Sequence, residues 1–110
     1  MIIDHTLYTL KHEKVQIWMS AWEQVVMPLE DELLGKFLGM FTTEIGAHLS
    51  EVLVMRSYVS MDDRSQRLAR LHDDPRWREW STTLREMAPY VRTFSRILKP
   101  TAFSPELIPG

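Results

Sequence analysis

The chain has 110 residues, 45% hydrophobic and 25% charged, with 13 basic against 15 acidic side chains and a net charge of −2. This composition fits one ordinary globular domain with a real core, and the near-balanced charge offers no global field for nucleic acid or anionic lipid. There is no cysteine, which excludes disulfides and thiolate metal sites.

The first residues, Met1-Ile2-Ile3-Asp4-His5, lack a basic region followed by an apolar run, so no signal peptide is expected. The apolar runs fall far short of the roughly 20 residues that span a bilayer. A cytoplasmic protein is the expectation.

Residues 2 to 10 alternate, with Ile3, His5, Leu7 and Thr9 on one side and Ile2, Asp4, Thr6, Tyr8 and Leu10 on the other. That is a strand. The period then changes: Val15, Trp18, Met19, Trp22, Val25, Val26, Leu29 and Leu33 recur at three- and four-residue steps as one apolar helical stripe. Lys14, Gln16, Ser20, Glu23, Gln24 and Glu30 fall on the opposite face. Pro28 predicts a kink or restart, and Gly35 the end.

Phe37 to Ile45 reads as a second strand, 46 to 50 as a turn, and Glu51 to Tyr58 as a third strand. Ser60 and Asp63 resemble a capping box opening a second helix, with Met61, Leu68 and Leu71 inward. Asp74 and Pro75 interrupt it and supply a new N-cap and first helical position. Trp77, Trp80, Leu84, Met87 and Ala88 continue as far as Pro89. Thr93 to Leu98 is a fourth strand, and the proline-rich tail from Lys99 is an extended arm. The expected division is a domain over 1–98 and an arm over 99–110.

Strand, helix, strand, strand, helix, strand is the ferredoxin-like βαββαβ order: α+β, a four-stranded antiparallel sheet with the helices on one face. Strand 3 carries Leu53 and Met55 on one side and Val52, Val54 and Tyr58 on the other, so both sheet faces need cover. The simplest cover for the second face is another copy, giving a homodimer through the sheet.

Five stretches carry a likeness: Asp4-His5-x-x-Tyr8-Thr9-Leu10, Thr43-Glu44-Ile45-Gly46, Tyr58-x-Ser60-x-x-Asp63-Arg64-x-x-Arg67, Asp74-Pro75-x-Trp77, and Ile97-Leu98-x-Pro100 with Phe103-Ser104-Pro105. In this order they resemble the NIPSNAP-domain family of the dimeric α/β-barrel superfamily. The resemblance implies two ferredoxin-like protomers closing into a barrel, with a cleft in each subunit. The chain also departs from the family pattern. Thr6 stands where an Arg is usual, and Ser50, Val54 and Arg56 where the third strand usually carries Asn, His and Trp. Phe94 replaces an acidic residue, the turn before strand 3 is one residue longer, and Lys11-His12-Glu13-Lys14 lacks the usual Pro-Gly turn. Family acid–base chemistry resting on that His does not transfer, and the cleft is more apolar.

The expected cleft residues are Asp4, Thr6 and Tyr8 of strand 1 and Val54, Arg56 and Tyr58 of strand 3. An Asp beside an Arg is a candidate acid–base or anion-binding pair. An ion pair between protomers, or an Arg reaching the barrel rim, is the preferred bland reading. His5, His12, His48 and His72 lack metal-pair spacing, so neither metal nor other cofactor is expected; His5 is placed on the helix-facing side as a hydrogen-bonded core histidine. Trp18, Trp22, Trp77 and Trp80 read as core. Arg64, Arg67 and Arg70, neutralised by neighbouring aspartates, read as a solvated face rather than a nucleic-acid surface. Glu44 is a functional residue or a strand-end anchor. The functional expectation is a homodimer with a mainly apolar cleft for a small hydrophobic molecule. The alternatives are an enzyme like the superfamily's cofactor-independent monooxygenases and isomerases, and a non-catalytic interaction or scaffold protein.

Overall fold

The computed structural model describes residues 1–46, 48 and 50–105. Four strands, β1 (Ile2–Leu10), β2 (Lys36–Thr42), β3 (Glu51–Tyr58) and β4 (Tyr90–Leu98), form one antiparallel sheet in the order β2-β3-β1-β4. Two helical arms cover one face. The first arm is a 3-10 turn (His12–Lys14), α1 (Val15–Ala21), a π-helical turn (Trp22–Val26) and α2 (Met27–Leu33). The second is α3 (Met61–Asp73) followed by α4 (Pro75–Met87). This is the ferredoxin-like α+β fold.

The expected restart at Pro28 is present, as a new α-helix, α2, that begins at Met27 with the proline in its first turn. The turn before it widens, so that the Met27 N–H donates to the Trp22 carbonyl five residues back, and Pro28 falls in the first turn of α2. A π-turn takes up an additional residue, and everything after it is rotated relative to an ideal helix. Glu30, one α-helical turn after the buried Val26, stands at the edge of the apolar stripe and turns toward the sheet, not to the solvent side expected of it.

Ser60 accepts from the Asp63 N–H at 3.1 Å while Asp63 accepts from the Val59 N–H at 3.1 Å, a reciprocal cap that starts α3. Asp74 caps α4 through the Arg76 N–H at 2.8 Å. Its carboxyl is held down at about 2, first by hydrogen bonds from Arg76. α4 ends in a left-handed Ala88 (φ 47°), at a cost of about 1–2 kcal/mol for a residue with a Cβ. That bend feeds the chain straight into β4, which starts at Tyr90, three residues before the expected Thr93.

β2 stops at Thr42, not Ile45, because its last partner is Val52 and β3 begins one residue earlier. Beyond that point no strand among the described residues lies alongside to complete the ladder, and Ile45 is 92% exposed. The expected turn over 46–50 includes Ala47 and Leu49, and the expected arm includes 106–110, all outside the described residues.

Trp18, Trp22, Val26, Leu10, Val52, Val54, Trp80 and Met87 form one core cluster, and Leu29, Leu34, Tyr58 and Leu71 a second, with Trp77 packed against both. The tryptophan expectation therefore describes the packing well, and each fully buried ring contributes on the order of 4 kcal/mol of gross transfer free energy. Met61, expected inward, is 49% exposed at the start of α3.

His5 needs a larger correction. Register places His5 beside Met55 and Arg96, on the face away from the helices, and its buried Nδ1 has no partner among the described residues. Strand periodicity separates two sets of side chains without saying which set the helices cover. On that open face Phe41, Leu53, Leu7 and Phe94 sit side by side, one from each strand, as an apolar row across the whole sheet.

Candidate functional site

The covered face carries three cross-strand rows: Phe37–Arg56–Asp4–Ile97, Met40–Val54–Thr6–Ser95 and Thr42–Val52–Tyr8–Thr93. Where the helical arms diverge, part of this floor stays open. A pocket of about 170 Å³ forms there, and Asp4, Thr6, Tyr8, Val54, Arg56 and Tyr58 all line it. Its roof and walls are Glu30 and Leu34 from the end of the first arm, Leu68, Leu71 and His72 of α3, and Trp77 of α4. The sequence grouped the six floor residues together; it placed them on the face away from the helices, whereas the pocket lies between sheet and helices.

The ionic pairing differs from the expected one. Asp4 and Arg56 are direct register partners on β1 and β3, yet each turns to a different element. Arg56 is 3% exposed. Its Nε donates to Glu30 Oε1 at 3.1 Å, its Nη2 to Asp31 Oδ1 at 3.1 Å and its Nη1 to the Gly35 carbonyl at 2.9 Å, with the guanidinium 5.1 Å from the Phe37 ring centroid. Every nitrogen thus has a protein acceptor, as a buried guanidinium requires. Neither an interprotomer ion pair nor a rim position describes it. It fastens the end of α2 to β3 within one chain. The close approach depends on Gly35, because a Cβ there would collide with the Ser57 carbonyl oxygen and the Tyr58 ring.

Asp4 accepts from Arg64 Nε at 3.0 Å and from Thr6 Oγ1 at 3.2 Å, one bond to each carboxylate oxygen. Thr6 and Ser95 hydroxyls also meet at 2.8 Å. Arg64, read from sequence as part of a solvated face, instead ties α3 to β1. Arg67 likewise reaches inward, to Asp63 at 2.8 Å and the Leu34 carbonyl at 3.2 Å.

Glu30 is a site residue that the sequence does not single out, because a carboxylate at the edge of an apolar stripe ordinarily turns to solvent. Its side chain is 14% exposed, and among the described residues only Oε1 has a protein partner. Burial pushes its carboxyl above the usual carboxylate range, against the opposing pull of Arg56. Tyr8 stacks on Tyr90 (centroids 5.2 Å) and tilts against Trp18 (5.3 Å), and its hydroxyl has no partner among the described residues. Burial, and then the charges of Tyr90, Glu30 and Asp4, hold that phenol far above its ordinary range, so it remains a neutral donor. Burial also raises Tyr58. His72 is exposed at the rim, its ring 6.0 Å from Trp77. Glu44 is exposed and makes no side-chain hydrogen bond among the described residues.

The NIPSNAP family profile matches residues 4–105. The chain belongs to the NIPSNAP family. A NIPSNAP family protein from Agrobacterium tumefaciens is 33% identical, covering 94% of this chain and 96% of its own, with a TM-score of 0.86. An uncharacterized NIPSNAP-like domain protein from Burkholderia xenovorans is 30% identical over 98% and 91%, with a TM-score of 0.84. A candidate antibiotic biosynthesis monooxygenase from Nitrosomonas europaea shares the fold at 10% identity, over 91% and 98%, with a TM-score of 0.66. No curated protein matches the chain. Among the described residues no helix is long and apolar enough to cross a membrane.

Replacing Arg56 with Met strands the Glu30 carboxylate. Removing one partner of a buried pair costs about 3–5 kcal/mol. A carboxyl with a raised folded pKa favours the folded state below its unfolded pKa and loses that contribution as pH rises through the folded value. The deficit of Arg56→Met in urea unfolding is therefore largest near neutrality and shrinks toward acid as Glu30 takes up a proton.

Proposed function

We propose that this NIPSNAP protein binds a small, uncharged, largely apolar ring compound in the pocket between sheet and helices. One observation carries the reading: the pocket sets a Tyr8 hydroxyl and a half-satisfied Glu30 carboxylate, both unpartnered among the described residues, beside Leu34, Val54, Leu68, Leu71 and Trp77, while every nitrogen of its buried Arg already holds a protein oxygen. An anionic ligand would meet Glu30 and Asp4, and among the described lining residues the one arginine is already occupied. Thr6, Tyr8, Val54 and Tyr58 contact the ligand in this reading, and Asp4 and Arg56 hold the floor in shape. A volume of about 170 Å³ suits a single ring, since an apolar protein cavity of roughly 150 Å³ accommodates benzene. A cytoplasmic location and a separate arm over 99–110 belong to the same proposal.

Phenol, cyclohexanone and benzoate in a thermal-shift series test the binding. A neutral ring present at 100 times its Kd adds about 2.7 kcal/mol to stability. The two neutral rings should raise Tm in the wild type and less in Tyr8→Phe, with benzoate inert. Equal shifts with benzoate, or none with any ring, contradict the reading.

The open face supports the homodimer. Its apolar row spans all four strands, with Phe41 52% and Phe94 56% exposed, which is a surface that monomers ordinarily cover. Sedimentation equilibrium should give twice the 13.0 kDa chain mass. Leu7→Glu, in the middle of the row, should return it to the single-chain value, and an unchanged mass would assign the interface elsewhere.

A further inference from the structure

Among the pocket groups with unused hydrogen-bonding capacity, the Glu30 carboxylate is the most unusual. Both Asp4 oxygens accept bonds from side chains, whereas Glu30 uses Oε1 alone. His5 Nδ1 is the one buried side-chain polar atom without a partner among the described residues. The second Glu30 oxygen and the Tyr8 hydroxyl, which also lack protein partners, therefore open to the pocket that both residues line. α2 carries Glu30 to this position one turn after the buried Val26, and Arg56 grips its other oxygen. The carboxylate is held by one oxygen and presents the other to a pocket that the neutral Tyr8 phenol also lines.

We propose that Glu30 acts as a general base that removes a proton from the carbon next to a ring carbonyl, with the Tyr8 hydroxyl donating to the carbonyl oxygen. The inference rests on the pocket being a ligand site for small neutral rings. The C–H bond breaks and its proton passes to Glu30. The bonding pair moves into the ring, and the carbonyl oxygen becomes an enolate oxygen that receives the Tyr8 hydrogen bond. With a β,γ double bond in the ring, the dienolate then takes the same proton back at the γ carbon and the carbonyl re-forms. The net change is migration of a double bond into conjugation. Atoms and electrons balance without an oxidant or cofactor.

Chemical sense supports the pairing of groups. A carboxylate removed from water is a better match in basicity for a carbon acid, and burial shifts Glu30 in that direction. Tyr8 remains protonated and can donate to a developing oxyanion. Arg56 is a positioning residue, because its reach ends on Glu30, Asp31 and Gly35.

The probe is the β,γ-unsaturated isomer of cyclohexenone, followed by the ultraviolet absorbance of its conjugated product, with a thermal shift on the same compound. The wild type should bind it and isomerise it faster than buffer. Glu30→Gln, which keeps an oxygen for Arg56 Nε, should bind and lose activity about 100-fold or more. Tyr8→Phe is a second, fold-independent check and should lose roughly 100-fold. Binding without isomerisation, or a Glu30→Gln variant as active as wild type, overturns the base role and leaves the binding reading standing. No thermal shift with the enone overturns both.

Discussion

The arrangement of the pocket depends on one buried guanidinium. Arg56 points from the middle of the covered sheet face into the end of the first helical arm, where it meets two carboxylates and the backbone carbonyl of Gly35. A buried ion pair is weak evidence for stability, since taking both charges out of water costs nearly as much as their attraction returns. Its consequence here is geometric. It fixes how closely α2 approaches β3, it sets the orientation of Glu30, and it removes the most obvious anion receptor from the pocket. An Arg on a pocket floor ordinarily suggests a carboxylate ligand; with its nitrogens occupied, it suggests the opposite.

The two sheet faces divide the labour between packing and site. One is covered by the helices except over a short stretch of β1 and β3, and that gap is the pocket. The other presents the Phe41–Leu53–Leu7–Phe94 row together with His5 Nδ1, which has no partner among the described residues. Buried polar atoms without partners are uncommon in a finished fold. The residues that build the pocket and those of the proposed dimer contact alternate along the same strands. A substitution on one face therefore leaves the side chains of the other in place, which is what allows ligand binding and assembly to be tested separately.

Much of the fold was legible in the sequence. Alternation at residues 2–10, the Ser60–Asp63 cap and the Asp74-Pro75 start are local signals, and the structure uses each of them as read. The six floor residues were legible for the same reason, since a two-residue period sorts side chains by face. What periodicity cannot express is which face the helices take, so the pocket was put on the wrong side and His5 with the core. Glu30 has a different cause: it borders the apolar stripe one turn after Val26, where a carboxylate ordinarily turns to solvent, and its partner Arg56 is 26 residues away in the chain. The Arg67–Asp63 pair is the local neutralisation expected of that face, but Asp4 and the Leu34 carbonyl, the other partners of Arg64 and Arg67, lie 60 and 33 residues away in the chain. Pairings that distant belong to the tertiary fold alone.

The central claim is that Glu30 is a desolvated carboxylate gripped by Arg56 on one oxygen and open to the pocket on the other. Carbon-detected NMR titration of the side-chain carboxyls tests it most directly. The account predicts that the Glu30 resonance titrates above the ordinary glutamate value of 4.5. A Glu30 midpoint at or below 4.5 would mean that the carboxylate is solvated or dominated by Arg56, and would contradict the account.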